Sequence, residues 1–290
     1  MNQKSKIVNT THSYEGLGLE YLKARKGTPK FAAFMINQAG FDLNRLSLPF
    51  TIVELGIGSG QQTEFVEREL NARGIAEYRI FAFDKSYKLS TDKTPGQFDI
   101  LKERIKNGEI SKRVFPIHFD FDGATLPLKS ESVPLSYMAH VFHHLNNKEQ
   151  VLNEIARITI KHGRHFIFGV TIEDLKNHPL DEFFPTKYEY DSRRYPTEEQ
   201  LKKMFYSAGF TYENPFRIGK DHIQVMDREF LSNIENTTMD SVLKMIKDDD
   251  QSAFEEGVQK VKREVERAEK SGKYRTYFTT VRRVFWGIKK

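Results

Sequence analysis

Val53-Glu54-Leu55-Gly56-Ile57-Gly58-Ser59-Gly60-Gln61 is the stretch on which the reading of this chain turns. An apolar run that begins at Phe50 delivers a carboxylate, Glu54, and then three glycines at alternate positions ahead of a helix-compatible segment over 61–73. Glycine suits such a turn because the backbone reverses sharply and a ligand can lie almost against it. The spacing sets aside two phosphate-binding designs. A dinucleotide fingerprint G-x-G-x-x-G needs glycine at position 61, where Gln61 stands, and a phosphate loop needs a Gly-Lys-Ser/Thr that does not follow.

Outward from this turn, strand patterns alternate with helical ones. The run 78–83 reads as a strand and is followed by a polar, helix-compatible segment ending near Lys106. Strand candidates follow at 114–119 and 135–139, then a helix over 149–160, a turn at His162-Gly163 and a strand over 165–170. This alternation predicts an α/β fold, a parallel sheet with helices on both faces. Pro196 and Thr197 open an amphipathic helix that Gly209 closes. Over 250–270, Phe254, Val258, Val261, Val265 and Ala268 form one apolar stripe that stops at Ser271-Gly272. The segment 274–288 mixes β-branched and aromatic residues and is expected to be the last strand. Four stretches result: 1–48 as an N-terminal helical segment, 49–219 as the α/β core, 220–272 as a helical insertion and 273–290 as the final core strand.

The chain has 290 residues, 45 Lys+Arg against 40 Asp+Glu, and no cysteine. That length buries a full core without staples. Lacking cysteine, the chain has no disulfides, thiolate zinc site, iron–sulfur cluster or cysteine nucleophile, which fits a cytoplasmic address. No apolar run is long enough to span a membrane, and the polar N-terminus does not resemble a secretory signal. Residues 241–290 carry 13 basic and 8 acidic side chains, so any polyanion-binding surface is expected near the C-terminus.

The E-x-G-x-G-x-G arrangement of Glu54, Gly56, Gly58 and Gly60 resembles the first motif of class I S-adenosylmethionine-dependent methyltransferases, specifically their small-molecule, type 11-like branch. Two further elements strengthen the likeness. Asp84 ends the next strand, and Asp122-Gly123-Ala124-Thr125-Leu126-Pro127-Leu128 resembles the family's D-A-x-x-L-P-F segment. Val141-Phe142-His143-His144-Leu145, Glu154-Ile155-Ala156-Arg157, Lys161-His162-Gly163-Arg164 and Ala208-Gly209-Phe210 resemble its later segments, so the likeness covers roughly residues 14–218. Pro134, His162 and Arg164 depart from the usual pattern.

The resemblance implies a Rossmann-like seven-stranded sheet, S-adenosylmethionine as cofactor and S-adenosylhomocysteine as product. In that reading Gly56, Ile57, Gly58 and Gly60 approach the methionine moiety and Glu54 its amino end. Asp84, with Lys85 beside it, accepts the ribose hydroxyls, and Asp122 with Gly123 meets the adenine. Tyr21 and Arg25 of the N-terminal segment resemble a Tyr-x-x-x-Arg placed over the cofactor, with an amphipathic surface helix as the other reading. The insertion 220–272 becomes a lid or substrate wall.

Methyl transfer is an in-line displacement, so the protein mainly positions the reactants and excludes water. A base is needed only for a protonated acceptor. His140 and His143, after the fourth strand, are the candidates for that role, and His140 also for cofactor contact. Phe183, Phe184 and Arg194 are candidate acceptor contacts, against a reading as buried loop anchors and a solvated arginine. No residue set has metal-ligand spacing. The expected acceptor is a small molecule methylated on N, O or C. Nucleic acid is not the expected partner, although an RNA methyltransferase using Lys273, Arg275, Arg282, Arg283, Lys289 and Lys290 is one alternative. A catalytically inactive scaffold of the same fold is the other.

Overall fold

A computed structural model describes residues 28–39, 49–85, 96–218, 223–237, 240–278 and 282–290. Tyr21 and Arg25 lie outside the described residues. The chain begins its described course with α1 (Pro29–Gln38), β1 (Phe50–Leu55), α2 (Gln61–Ala72), β2 (Tyr78–Asp84), α3 (Gln97–Lys106), β3 (Val114–His118) and β4 (Val133–Ala139). It continues through α4 (Lys148–Ile158), β5 (Thr159–Gly169), α5 (Ile172–Leu175), α6 (Lys187–Arg194), α7 (Glu198–Ser207), β6 (Phe216–Ile218) and β7 (Ile223–Val225). The last elements are α8 (Arg228–Glu235), α9 (Ser241–Asp249), α10 (Gln251–Ser271), β8 (Thr276–Phe278) and β9 (Arg282–Ile288).

Seven strands form one mixed sheet in the order β3-β2-β1-β4-β5-β9-β6. The first five are parallel, while β9 runs antiparallel to both β5 and β6. Central β1 is buried at every position but Thr51, and a strand covered on both faces reads as a nearly continuous apolar run. Its alternation divides two cores. Ile52 joins Leu135, Tyr137, Phe166 and Phe168 under α1 and α2, and Val53 joins Met138, Ile167 and Phe285 under α4 and α7. Each such side chain contributes about 1.5–3 kcal/mol of burial, an upper bound because unfolded chains are partly compact.

The apolar stripe on α10 buries Phe254, Val258, Val261, Val265 and Ala268. Asp250 caps its start by accepting the Ala253 N–H, and Gly272 ends it at φ +66°. The stripe meets α8, α9 and the segment before α6 in a third core containing Met226, Phe230, Ile234, Val242, Leu243 and Phe184.

Two expectations are corrected. The segment 274–288 is not one strand: β8 pairs with β7 in a separate two-stranded sheet, and only β9 enters the main one. His162-Gly163 is not a free turn but lies inside β5. There the register passes from Val133↔Thr159 to Leu135↔Arg164, so β5 carries extra residues that the ladder absorbs as a bulge. His162 adopts φ +63° and donates its N–H to the Lys289 carbonyl at 2.9 Å.

Candidate active site

The parallel strands release their loops at one edge, and the strand order turns back between β1 and β4. Ligands of open α/β sheets bind at such a switch point. Here Gly56, Gly58 and Gly60 take φ of +81°, +54° and +78°. A Cβ on Gly56 would fall 2.2 Å from Val141 Cγ2, so glycine is what lets the segment after β4 close over the turn. The Gly56 and Ile57 N–H groups donate to the Phe83 carbonyl, and Gly60 precedes α2 as its cap.

Two carboxylates flank this turn. Glu54 is 1% exposed, and its Oε2 accepts the Thr63 hydroxyl at 2.6 Å and the Tyr137 hydroxyl at 2.7 Å. Burial pushes its carboxyl up to about 7, opposed by those two hydrogen bonds and aided by the charge of Asp84. Asp84 accepts the Gly58 N–H through Oδ2 at 2.7 Å and is itself buried. The structure thus brings Glu54, Asp84 and the glycines together. Neighbouring Lys85 forms an ion pair with Asp120 at 3.7 Å.

Asp122 holds the backbone ahead of α4. One oxygen accepts the Asn146 N–H and the other the Asn147 N–H, both at 2.8 Å, so its carboxylate orders the turn into α4. Gly123, at φ +86°, packs against Asn147, and its carbonyl accepts from Gln150 at 2.7 Å.

His140 follows β4 at φ +59°, a conformation unusual for a non-glycine residue, and its N–H donates to the Phe168 carbonyl. Its ring centroid lies 4.6 Å from that of Phe168. His143 stacks on Tyr195 at 4.6 Å with an interplanar angle of 11°. His143, Tyr195, Phe168, Gly169, Val170 and Phe285 line a narrow cleft past the ends of β4 and β5. Phe183 and Phe184 do not join it. They lie in the third core, with Phe184 against Phe254 and Gly257, which corrects their reading as acceptor contacts. Arg194 is 4% exposed rather than solvated, and its Nη2 donates to Ser241 Oγ at 2.8 Å.

The sequence reasoning missed several residues. Thr63 and Tyr137 clasp Glu54, and Gln97 lies so close that a Cβ on Gly58 would come within 2.4 Å of its Oε1. Spacing carries no signal for these, since each comes from a distant element. Tyr195, by contrast, sits between Arg194 and Pro196, both named in the sequence reading. Thr28 and Gln62 exchange two hydrogen bonds, at 2.9 and 3.2 Å, which fasten the start of α1 to α2. Among the C-terminal basic residues, Arg275 pairs with Glu182 and Arg283 with Asp174, both at 2.7 Å, and Arg283 also pairs with Glu198. Among the described residues no cluster of His, Cys, Asp or Glu is arranged to hold a metal, and no helix is long and apolar enough to cross a membrane.

This strand order, with an antiparallel strand inserted between β5 and β6 and a glycine turn after β1, defines the Rossmann-like class I methyltransferase fold. Residues 53–167 match the family described as a methyltransferase domain. No curated protein matches the chain in sequence.

Solved structures agree on the fold. A protein from Anabaena variabilis, assigned as a methyltransferase of an antibiotic biosynthesis pathway, superposes with a TM-score of 0.56 at 16% identity, covering 86% of this chain and 96% of its own. One from Bacillus halodurans, also assigned as a methyltransferase, gives 0.53 at 16%, over 90% and 99%. A phosphoethanolamine N-methyltransferase from Haemonchus contortus, in complex with phosphomonomethylethanolamine and S-adenosylhomocysteine, gives 0.52 at 13%, over 96% of this chain and 58% of that one.

Proposed function

We propose that this protein binds S-adenosylmethionine at the glycine turn and transfers its methyl group to a small-molecule acceptor held in the cleft beside His143 and Tyr195. The observation that carries this reading is the convergence of three left-handed glycines, Glu54 and Asp84 at the ends of adjacent parallel strands. The residues fit that cofactor. The three glycines take the left-handed backbone that a tight ligand-binding turn uses, a carboxylate at the end of β2 suits a ribose diol, and Glu54 lies where an ammonium group would favour its ionised form.

Bound there, the cofactor supplies a methyl group activated by a sulfonium. The chain's own residues position the partners and keep out water. Phe168, Phe285 and the His143–Tyr195 stack line the cleft, and a dry, prealigned site favours in-line displacement. His140 and His143 are the side chains that would take a proton from an acceptor that arrives protonated.

Calorimetric titration with S-adenosylmethionine and S-adenosylhomocysteine, after removal of any co-purified ligand and with NAD as control, tests the reading. Saturable binding of both and none of NAD is the expected result. Binding of neither would overturn it.

A further inference from the structure

Glycines at alternate positions make a turn with little conformational preference of its own, since glycine has more backbone freedom to lose than any other residue. Groups outside the turn must therefore fix its course. From the side of β2, the Phe83 carbonyl accepts the Gly56 and Ile57 N–H groups and the Asp84 carboxylate accepts that of Gly58. From the other side the turn is held by α3. Gln97, in the first turn of that helix, reaches Gly58, while Leu101 and, just beyond the helix, Ile110 lie against Gly60. Arg104, in its last turn, reaches the residue between those two glycines.

Arg104 is 8% exposed, and each nitrogen of its guanidinium has its own partner. Nη1 donates to the Ser59 carbonyl and Nε to Glu109, both at 3.0 Å, and Nη2 donates to Glu64 Oε2. Two carboxylates thus compensate the charge of a side chain drawn out of water. Its backbone is fixed as well, because the Glu109 and Ile110 N–H groups both donate to the Arg104 carbonyl and close the end of α3. Glu64 stands in the first turn of α2 and donates its N–H to the Gly60 carbonyl at 3.2 Å. One planar guanidinium therefore grips both the peptide that joins Ser59 to Gly60 and the helix turn that follows it. The compact ammonium of lysine has no such fork. Arg104 lies 45 residues from Ser59 and 40 from Glu64, so no local pattern announces the contact.

We infer that Arg104 is a positioning residue for the cofactor site: acting from α3 through the Ser59 carbonyl, it fixes the course of the glycine turn on which S-adenosylmethionine would lie. This rests on the reading of that turn as the cofactor site. Without the bond, Ser59 and Gly60 sample other conformations, and a ligand then binds only the fraction of molecules in which the turn has the right shape.

The test is calorimetric titration of the full chain with S-adenosylhomocysteine, well below the melting temperature so that every molecule is folded, together with hydrogen–deuterium exchange of the ligand-free protein. Arg104→Met keeps the apolar stem and removes all three bonds. It is expected to bind about tenfold or more weakly, the scale of a lost charge-assisted hydrogen bond. Residues 56–64 should exchange faster than in the wild type, while β4 and β5 exchange as before. Arg104→Lys, able to keep one of the contacts, should recover part of the affinity. Gly257→Ala, which crowds Phe184 in the third core, is the control for lowered stability alone and should stay within about twofold of the wild type, as expected of a distant site. Should Arg104→Met fail to fold, Arg104→Lys carries the comparison. Unchanged affinity in Arg104→Met, or in Arg104→Lys where only that variant folds, would overturn the positioning role while leaving the cofactor reading intact. An equal loss in Gly257→Ala would overturn it too, by showing that affinity merely follows stability. A wild type that takes no S-adenosylhomocysteine would sink the cofactor reading and this inference with it.

Discussion

The Asp84 carboxylate accepts the Gly58 N–H at 2.7 Å, so the end of β2 is bonded directly to the middle of the glycine turn after β1. Sheet pairing alone would leave the loops of adjacent strands free to part. This bond holds the two halves of the proposed cofactor site in fixed relation, and it draws on an acceptor that a ribose would also use. Asp84→Ala is therefore expected to weaken S-adenosylmethionine binding by about 1.5–3 kcal/mol, the scale of a lost charge-assisted hydrogen bond. Calorimetry of the variant checks it. An unchanged dissociation constant would show that Asp84 only shapes the turn.

Glu54 predicts a pH dependence. Its carboxyl titrates near 4.5 when unfolded and near 7 in the fold, so between those values the native state holds the proton more tightly. Stability from this group is then fully present below about 4.5 and lost as pH rises through 7, by about 3 kcal/mol across the window. Urea unfolding of the wild type and Glu54→Gln, at pH 5 and at pH 7.5, reads the difference. The variant should be the less pH-sensitive of the two, and parallel profiles would refute the assignment.

The glycines of the turn should differ in cost. At Gly60 a Cβ would meet Ile110 Cδ1 at 2.4 Å and Leu101 Cδ1 at 2.8 Å, both in packed core, and φ is +78°. At Gly58 the near neighbour is the end of the flexible Gln97 side chain. Both alanine variants bear about 1–2 kcal/mol of left-handed strain, and Gly60→Ala adds overpacking of about 1–3 kcal/mol. Denaturant midpoints should rank Gly58→Ala above Gly60→Ala. The reverse order would contradict the geometry.

Gly257 lies within α10, where alanine ordinarily gains about 1 kcal/mol over glycine. Here a Cβ would come within 2.3 Å of Phe184 Cε1 and 2.9 Å of the Phe183 carbonyl oxygen. The clash outweighs the propensity, so Gly257→Ala is expected to lower stability by about 1–2 kcal/mol on balance. A raised melting temperature would mean that Phe184 moves aside easily and that the third core is looser than its burial suggests.

His140→Gly separates a catalytic ring from a structural one. Glycine accepts φ +59° without strain, so the backbone should hold. If the imidazole takes a proton from the acceptor, turnover falls by about 10²–10⁴ with S-adenosylhomocysteine affinity little changed. Full activity in the variant would remove His140 from the chemistry.

Local patterns carried much of this fold. The apolar run of β1, the glycine spacing, the Thr197 cap of α7 and the stripe of α10 each encode their own element, because periodicity and turn chemistry act within a few residues. The strand split at 274–288 was illegible for the same reason. Thr276–Phe278 and Arg282–Ile288 have similar strand character, and only their partners, β7 for one and β5 with β6 for the other, send them to different sheets.

The sequence by itself determined the parallel α/β class, the position of the glycine turn and the two carboxylates, Glu54 and Asp84, that bracket it. Only the tertiary structure decided what those side chains face. It set Asp122 on the backbone of Asn146 and Asn147, buried Phe183 and Phe184 in the insertion's own core, clasped Glu54 between Thr63 and Tyr137, and set Arg194 against Ser241. An element's type follows from interactions within a few residues, whereas the surroundings of a side chain depend on which distant surfaces pack together, and those contacts form only when the whole chain is folded.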